Sequence, residues 1–368
     1  MSCPTGLMAE NAEHIISAHI IPDGTSAKFA NMSIVCAALV VCMHIGSAFE
    51  IGTFGWCIRE VTSCGLSRVA VPYFFLASGF FLAGKIVGEN GHLVISNWLA
   101  EVRKRIKTLL VPLALWPIIL MLWAAPFTMI ANYLAGRPLL HAIPFMNGVY
   151  WPGVGTLWFI RFLFILVCLS PILHFLIKKT KRMWLILTFT MYWGIYTFIN
   201  PIKATGPLGW SVYQFSLEGV AYFSTGMYIR QFASNRLTLS HSVSAWLLVA
   251  GMLGVAVSGT CNYMRIQVWD GVYLNLRHFP VPFLMAGMLG LMPTIRFPSM
   301  LLRAAFPVYL MHTLWAIPTG CLLHHIPFVG DCMIYLFQWV IAFMLSVVSA
   351  WLLHRFAPRV ASVLFGGR

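Results

Sequence analysis

Apolar residues occur along the chain in long runs, separated by shorter stretches that hold most of the charged residues. An α-helix needs about 20 mainly apolar residues to cross the hydrocarbon of a bilayer. The pattern therefore predicts an all-α, polytopic integral membrane protein with about ten transmembrane helices. The third run is overlong and contains Pro112, Pro117 and Pro126, which predict kinks or a break. We place the helices at residues 30–49, 68–87, 107–134, 157–177, 183–200, 212–230, 243–260, 278–294, 304–323 and 333–354.

The composition agrees with a lipid environment. Hydrophobic residues make up 60% of the 368 residues, charged residues only 9%, and the mean hydropathy is +0.81. Because a soluble domain typically carries about 25% charged residues, lipid must cover a chain this apolar. The net charge of +14 would favour nucleic acid in a soluble protein. Here the basic residues lie mainly in short connections, so we expect a lipid bilayer and no nucleic acid as partner.

Lysine and arginine are concentrated in alternate connections, for example at residues 103–107 and 178–182. Cytoplasmic loops carry this excess, so we place both chain ends in the cytoplasm of a multi-pass protein of the cell (inner) membrane. Residues 1–28 then form a cytoplasmic N-terminal segment without a cleavable signal peptide. Residues 29–357 form the transmembrane domain, and residues 358–368 form a cytoplasmic C-terminal tail.

Two pairs of cysteines fall on predicted outer loops. Cys57 and Cys64 share one loop, and Cys321 and Cys332 flank another, so a disulfide is compatible with either place. The nine cysteines include no Cys-x-x-Cys pair and no zinc-type spacing, so we expect no metal site.

Four ionisable side chains lie inside predicted helices, at His44, Arg161, Glu218 and His312. Such residues are costly at membrane depth and are functional candidates by default. At about 1.5 Å rise per residue, the first three lie about 18–24 Å from the inner face, and His312 lies at about 12 Å. The shared level of three groups on three helices predicts a polar chamber in the outer half of the membrane.

The residues alone leave two interpretations of this chamber open. In the structural one, Arg161 and Glu218 pair, because an unpaired charge is costly in a low-dielectric interior, and His44 is hydrogen-bonded nearby. In the functional one, His44 takes a proton from an incoming hydroxyl. Histidine suits that work because its unperturbed pKa lies near neutrality. His312 is likewise either a packing residue or a functional one.

A basic cluster lies at the predicted inner end of the third helix. It acts either as a topology signal that attracts anionic lipid or as a site for the phosphates of an anionic cytoplasmic donor. In the second helix, Ser78-Gly79 forms a small-residue notch that another backbone or a thin ligand can approach. The cluster consists of Arg103, Lys104, Arg105 and Lys107.

Aromatic and polar residues are frequent in two predicted outer loops, residues 135–156 and 261–277. The first loop contains Tyr150 and Trp151. Their rings suit stacking on a sugar and equally suit anchoring at the membrane interface, so both interpretations stay open.

Four strings in this order resemble signatures of the acyltransferase 3 family of membrane O-acyltransferases, over about residues 30–355. The strongest is Val71-Pro72-Tyr73-Phe74-Phe75-Leu76-Ala77-Ser78-Gly79-Phe80, which resembles the family's VPxFFxxSGF. The others are Leu39-Val40-Val41-Cys42-Met43-His44, Leu157-Trp158-Phe159-Ile160-Arg161 and Val308-Tyr309-Leu310-Met311-His312. Two positions depart from the family pattern. Ser33 stands where many members have an arginine, and Lys104 with Lys107 is the nearest match to an Arg-x-x-Arg motif.

The resemblance implies an acyltransferase for groups other than aminoacyl groups. It implies acetyl-CoA (acyl-CoA) as co-substrate, a hydroxyl of a sugar or cell-surface glycan as acceptor, and no bound cofactor. The expected catalytic residues are His44, Arg161 and Glu218. The expected donor-binding residues are Arg103, Lys104, Arg105, Lys107, Ser78 and Gly79. The expected acceptor-binding residues are Tyr150, Trp151, Trp158 and His312.

Two functions from other classes stay in consideration. The same intramembrane groups would suit a proton-coupled transporter or exporter of a small polar metabolite or glycan. Transporters often contain internal repeats, and none stands out in this sequence. A membrane sensor that binds a ligand without turnover is the third alternative.

Overall fold

The computed structural model of the protein describes residues 24–45, 49–134, 136, 138, 157–198, 216–234, 239–264, 276–323 and 330–367. The regular elements in these ranges are helical, and one isolated β-bridge joins Val87 to Leu93. Seven of the described helices are long and apolar enough to cross a membrane. The predicted fold class, an all-α polytopic membrane protein, is confirmed. The count of ten spans and the cytoplasmic position of both ends stay predictions.

Each predicted span contains a helix, short helices join the spans at two places, and a third short helix follows the last span. The observed ends differ from the predicted ones by several residues. The helices, in chain order, are α1 Thr25–Met43, α2 Phe54–Arg59, α3 Ala70–Ile86, α4 Ile95–Arg105, α5 Val111–Leu134, α6 Trp158–Thr180, α7 Arg182–Phe198, α8 Leu217–Phe232, α9 His241–Tyr263, α10 Val281–Leu291, α11 Ser299–Leu323, α12 Asp331–Phe356 and α13 Pro358–Leu364.

Non-α turns precede α3 and α5, and the turn next to each of these helices lies just before a proline. Pro72 and Pro112 have no N–H to donate to the carbonyl four residues earlier, which weakens the α-helical ladder there. The predicted irregularity in the third span is thus a π-helical turn, whereas Pro117 and Pro126 lie within α5. These turns are the π-turn Glu60–Gly65 and the 3₁₀ turn Leu66–Val69 before α3, and the π-turn Ile106–Leu110 before α5.

Helix α1 is buried on two sides. One set of its residues, including Met32 and Cys36, packs in an apolar cluster with α3 and α6. A second set, including Ala37 and Val41, packs in another cluster with α11 and α12. Because close-packed interiors resist displacement, this burial fixes the axis and the rotation of the helix that ends at His44.

Helices α3 and α8 approach closely because each has a glycine in the contact. A Cβ at Gly79 would overlap the carbonyl oxygen of Phe223, and a Cβ at Gly226 would overlap that of Leu76. The notch at Gly79 therefore holds a neighbouring backbone, which is one of the two occupants that the sequence allowed.

We expect Gly226→Ala to lower the midpoint of thermal unfolding in detergent, because the added methyl group has no room between the two backbones. Overpacking of this kind costs about 1–3 kcal/mol. Gly194→Ala is the matched control in α7, since a Cβ there meets no atom within 4 Å. Equal midpoints for the two variants would contradict this close packing of α3 on α8.

Neither of the disulfides that the sequence allows is formed in the described part of the chain. Cys57, Cys64 and Cys332 each carry a free thiol.

Candidate active site

A cavity of about 420 Å³ lies beside the C-terminal end of α1. We call it the histidine cavity. Three predicted site residues, His44, Trp158 and Glu218, line it together. Of the three groups predicted to share one level, His44, Arg161 and Glu218, the described lining contains His44 and Glu218. The described lining also includes Arg68 and His278.

The His44 ring is oriented by one backbone hydrogen bond. Its Nδ1 lies 2.9 Å from the carbonyl oxygen of Val40. Because a carbonyl oxygen only accepts, Nδ1 carries the proton that it donates, and Nε2 of the neutral ring keeps its lone pair. Helix α1 thus presents His44 as a base or a nucleophile that acts through Nε2.

His312 lies next to His44, with ring centroids 4.9 Å apart. Its Nδ1–H donates to the carbonyl oxygen of Tyr309 at 2.8 Å, and its buried Nε2 has no hydrogen-bond partner among the described residues. The predicted shallower depth of His312 is wrong. The contact between the two rings places His312 at the level of His44.

Arg68 is a cation in the histidine cavity and is not among the predicted site residues. Its Nε is buried, and in the described part of the chain no hydrogen-bond partner reaches that atom. The sequence holds one signal that could have identified Arg68 as a site residue. Arg68 lies three residues before Val71, where the string that most resembles the family signature begins. A guanidinium near His44 is suited to stabilise an oxyanion.

Glu218 is buried and accepts two hydrogen bonds through Oε1. The Tyr192 hydroxyl donates at 2.9 Å, and Nδ1 of His278 donates at 3.2 Å. Glu218 therefore pairs with His278, and the alternative pair with Arg161 is not formed. Arg161 lies in the first turn of α6 and is not among the described residues that line the histidine cavity. The predicted catalytic roles of Arg161 and Glu218 stay predictions.

A second cavity, of about 540 Å³, lies toward the basic cluster. We call it the basic cavity. Three predicted donor residues, Ser78, Lys104 and Arg105, line it. Arg303, which is not among the predicted site residues, lines it as well. Helix α4, through Lys104 and Arg105, and helix α11, through Arg303, thus bring positive charge to the wall of the basic cavity.

The other three predicted donor residues do not line the basic cavity. Gly79 faces the backbone of α8. Arg103 is exposed. Lys107 lies within the π-turn Ile106–Leu110, whose i→i+5 hydrogen bonds change the angle between successive side chains. Its side chain therefore does not share the direction of Lys104.

Of the predicted acceptor residues, Trp158 lines the histidine cavity, and His312 lies behind His44. Tyr150 and Trp151 fall outside the described residues. Their sugar-stacking role therefore stays a prediction.

Comparison with known proteins identifies the kind of chain that carries these two cavities. Residues 31–355 match the model of the acyltransferase 3 family, described as an acyltransferase domain. The match covers nearly the whole chain. No curated protein and no solved structure matches the chain significantly. The chain therefore belongs to the acyltransferase 3 family and is a membrane acyltransferase.

Proposed function

We propose that the protein transfers an acetyl group from cytoplasmic acetyl-CoA to a hydroxyl of a sugar or cell-surface glycan, and that it does so in the cell (inner) membrane. One observation supports this most. The basic cavity and the histidine cavity meet at Phe159 and Tyr309, which line both. An anionic donor and a hydroxyl acceptor would therefore reach His44 through different cavities.

The basic cavity suits a donor with phosphate groups. Ammonium and guanidinium groups bind phosphate oxygens through charge-assisted hydrogen bonds, and Lys104, Arg105 and Arg303 bring three such groups together. Ser78 lines the same cavity, so the pantetheine arm of the donor would pass along α3. This route would carry the thioester toward the rings of Phe159 and Tyr309.

His44 would act through Nε2 in one of two ways. As a general base, it takes the proton of the acceptor hydroxyl while the hydroxyl oxygen attacks the thioester carbon, the C–S bond breaks, and the thiolate leaves and takes up a proton. As a nucleophile, Nε2 attacks that carbon first, the C–S bond breaks and the thiolate leaves. The hydroxyl oxygen then attacks the same carbon, the C–N bond breaks, and the freed Nε2 takes up the hydroxyl proton and passes it to the thiolate. In both routes the carbonyl oxygen becomes an oxyanion, which Arg68 would stabilise.

The experiment that tests this function is turnover of acetyl-CoA by purified protein in nanodiscs. Free CoA and acetylated acceptor are measured for wild type and His44→Ala, with CoA binding measured by thermal shift in the same samples. CoA binding by both and turnover by wild type alone would support the proposal. Folded wild-type protein that neither binds nor turns over acetyl-CoA would contradict it, and transport assays would then test an exporter.

We expect Arg303→Glu to raise KM for acetyl-CoA by about tenfold or more with little change in kcat. The reason is that a phosphate contact remote from the thioester contributes equally to the ground state and the transition state. Arg103→Glu is the matched control, because Arg103 is exposed and lies outside the basic cavity. Equal increases in KM for both variants would show that surface charge, rather than the basic cavity, attracts the donor.

A further inference from the structure

Phe159 and Tyr309 form the boundary between the basic cavity and the histidine cavity. In the described ranges they are the only residues that line both cavities. Their rings meet edge to face, with centroids 5.6 Å apart, and their exposed fractions are 5% and 4%. In the described part of the chain, the route of an acyl group from the basic cavity to His44 therefore leads past these two rings.

Neighbouring side chains hold both rings in place. The Phe159 ring packs against Phe75, with centroids 4.7 Å apart, and against Phe74 at 6.0 Å. The Tyr309 ring stacks on Phe306 at 6.4 Å, and the Tyr309 carbonyl oxygen accepts a hydrogen bond from His312. Because packed side chains resist displacement, moving the two rings apart costs more free energy as the group that passes becomes wider.

We propose that Phe159 and Tyr309 select the donor by the width of its acyl group. They admit an unbranched acyl thioester and reject one that is branched next to the carbonyl carbon. The inference deepens the proposed function and rests on it. A pantetheine arm and an unbranched acyl chain have the same narrow cross-section. A branch places a methyl group across that section, so the two packed rings have to move further apart for it than for an unbranched chain.

Butanoyl-CoA and 2-methylpropanoyl-CoA test this inference because they have the same number of carbons and differ in width. The readout is kcat/KM for release of free CoA by the full-length protein in nanodiscs. We expect wild type to use the branched donor at least about tenfold less well, since a misplaced methyl group in a packed site changes kcat/KM by about 10–200-fold. Phe159→Ala is expected to remove most of this difference.

Two controls separate the boundary from the rest of the basic cavity. Phe81→Leu removes a ring from the cavity wall at a residue that does not line the histidine cavity, so the ratio between the two donors should stay as in wild type. Tyr309→Phe keeps the ring and should also leave the ratio unchanged. If Phe159→Ala does not accumulate in membranes, Phe159→Leu carries the same expectation, because it removes the flat ring and keeps an apolar side chain.

Equal use of the two donors by wild type would overturn the inference. So would the same ratio in the Phe159 variant and in Phe81→Leu. A wild-type protein that releases CoA from acetyl-CoA but shows either result leaves the proposed function intact. Folded wild type that turns over no acyl-CoA would overturn the proposed function and this inference with it.

Discussion

Replacement of His44 by alanine is expected to abolish acyl transfer and leave the protein folded in the membrane. The hydrogen bond to Val40 leaves Nε2 of His44 as the basic atom at the end of α1. A positioned general base contributes about 10²–10⁴-fold, so kcat should fall by at least about 100-fold. The measurement is the initial rate of CoA release and of acceptor acetylation at saturating acetyl-CoA. The thermal shift with CoA should persist, because the phosphates would bind in the basic cavity.

His92→Ala is the matched control for this variant. His92 is exposed between α3 and α4, where Nζ of Lys178 donates to its Nδ1 at 3.2 Å. Removal of that imidazole should leave kcat at the wild-type level. A His44→Ala protein with wild-type kcat would contradict the mechanism, whereas loss of activity in both variants would indicate a general loss of folded protein.

Replacement of Arg68 by glutamine is expected to lower kcat by about 10²–10³-fold with little change in KM for acetyl-CoA. Loss of one oxyanion donor has an effect of about this size. The loss falls on kcat because the carbonyl oxygen carries full negative charge only near the transition state. Steady-state kinetics at several acetyl-CoA concentrations separate the two parameters.

Two further variants sharpen the Arg68 experiment. Arg68→Lys retains the charge without the planar fork of donors, so its kcat should lie between wild type and Arg68→Gln. Arg59→Gln, at the end of α2 and outside the described lining of the histidine cavity, should keep wild-type kcat. A rise in KM alone for Arg68→Gln would show that Arg68 binds the donor rather than the developing oxyanion.

The helical, polytopic fold could be predicted because a bilayer leaves few ways to satisfy backbone polar groups. Each long apolar run therefore predicts a membrane-spanning helix. The ends of those helices could not be predicted to the residue. Ser299 begins α11 although Arg303 follows within the helix, because a helix continues past the hydrocarbon into the polar interface.

The candidate site could be predicted in part. The presence of His44 and Glu218 in one cavity follows from their similar depth on two helices. The partner of Glu218 could not be derived from depth, because pairing depends on how each helix is rotated about its axis, and that rotation brings His278 rather than Arg161 to the carboxylate. Arg68 was missed because an arginine at the end of an apolar run also satisfies the rules of membrane topology.

The π-turn Glu60–Gly65 affects how this segment should be aligned with homologues that have one residue more or fewer in the turn. Glu60, the first residue of this turn, pairs with Arg277 at 3.2 Å. Arg68, three residues after the turn ends, lines the histidine cavity. Each residue of an α-helix turns the chain by about 100°. Deletion of Val61 would favour a regular α-helix and rotate Glu60 by about that angle relative to Arg68, with almost no change in hydropathy. Homologues that differ by one residue in this turn should therefore be aligned on Arg68 and His44, with the gap placed inside the turn.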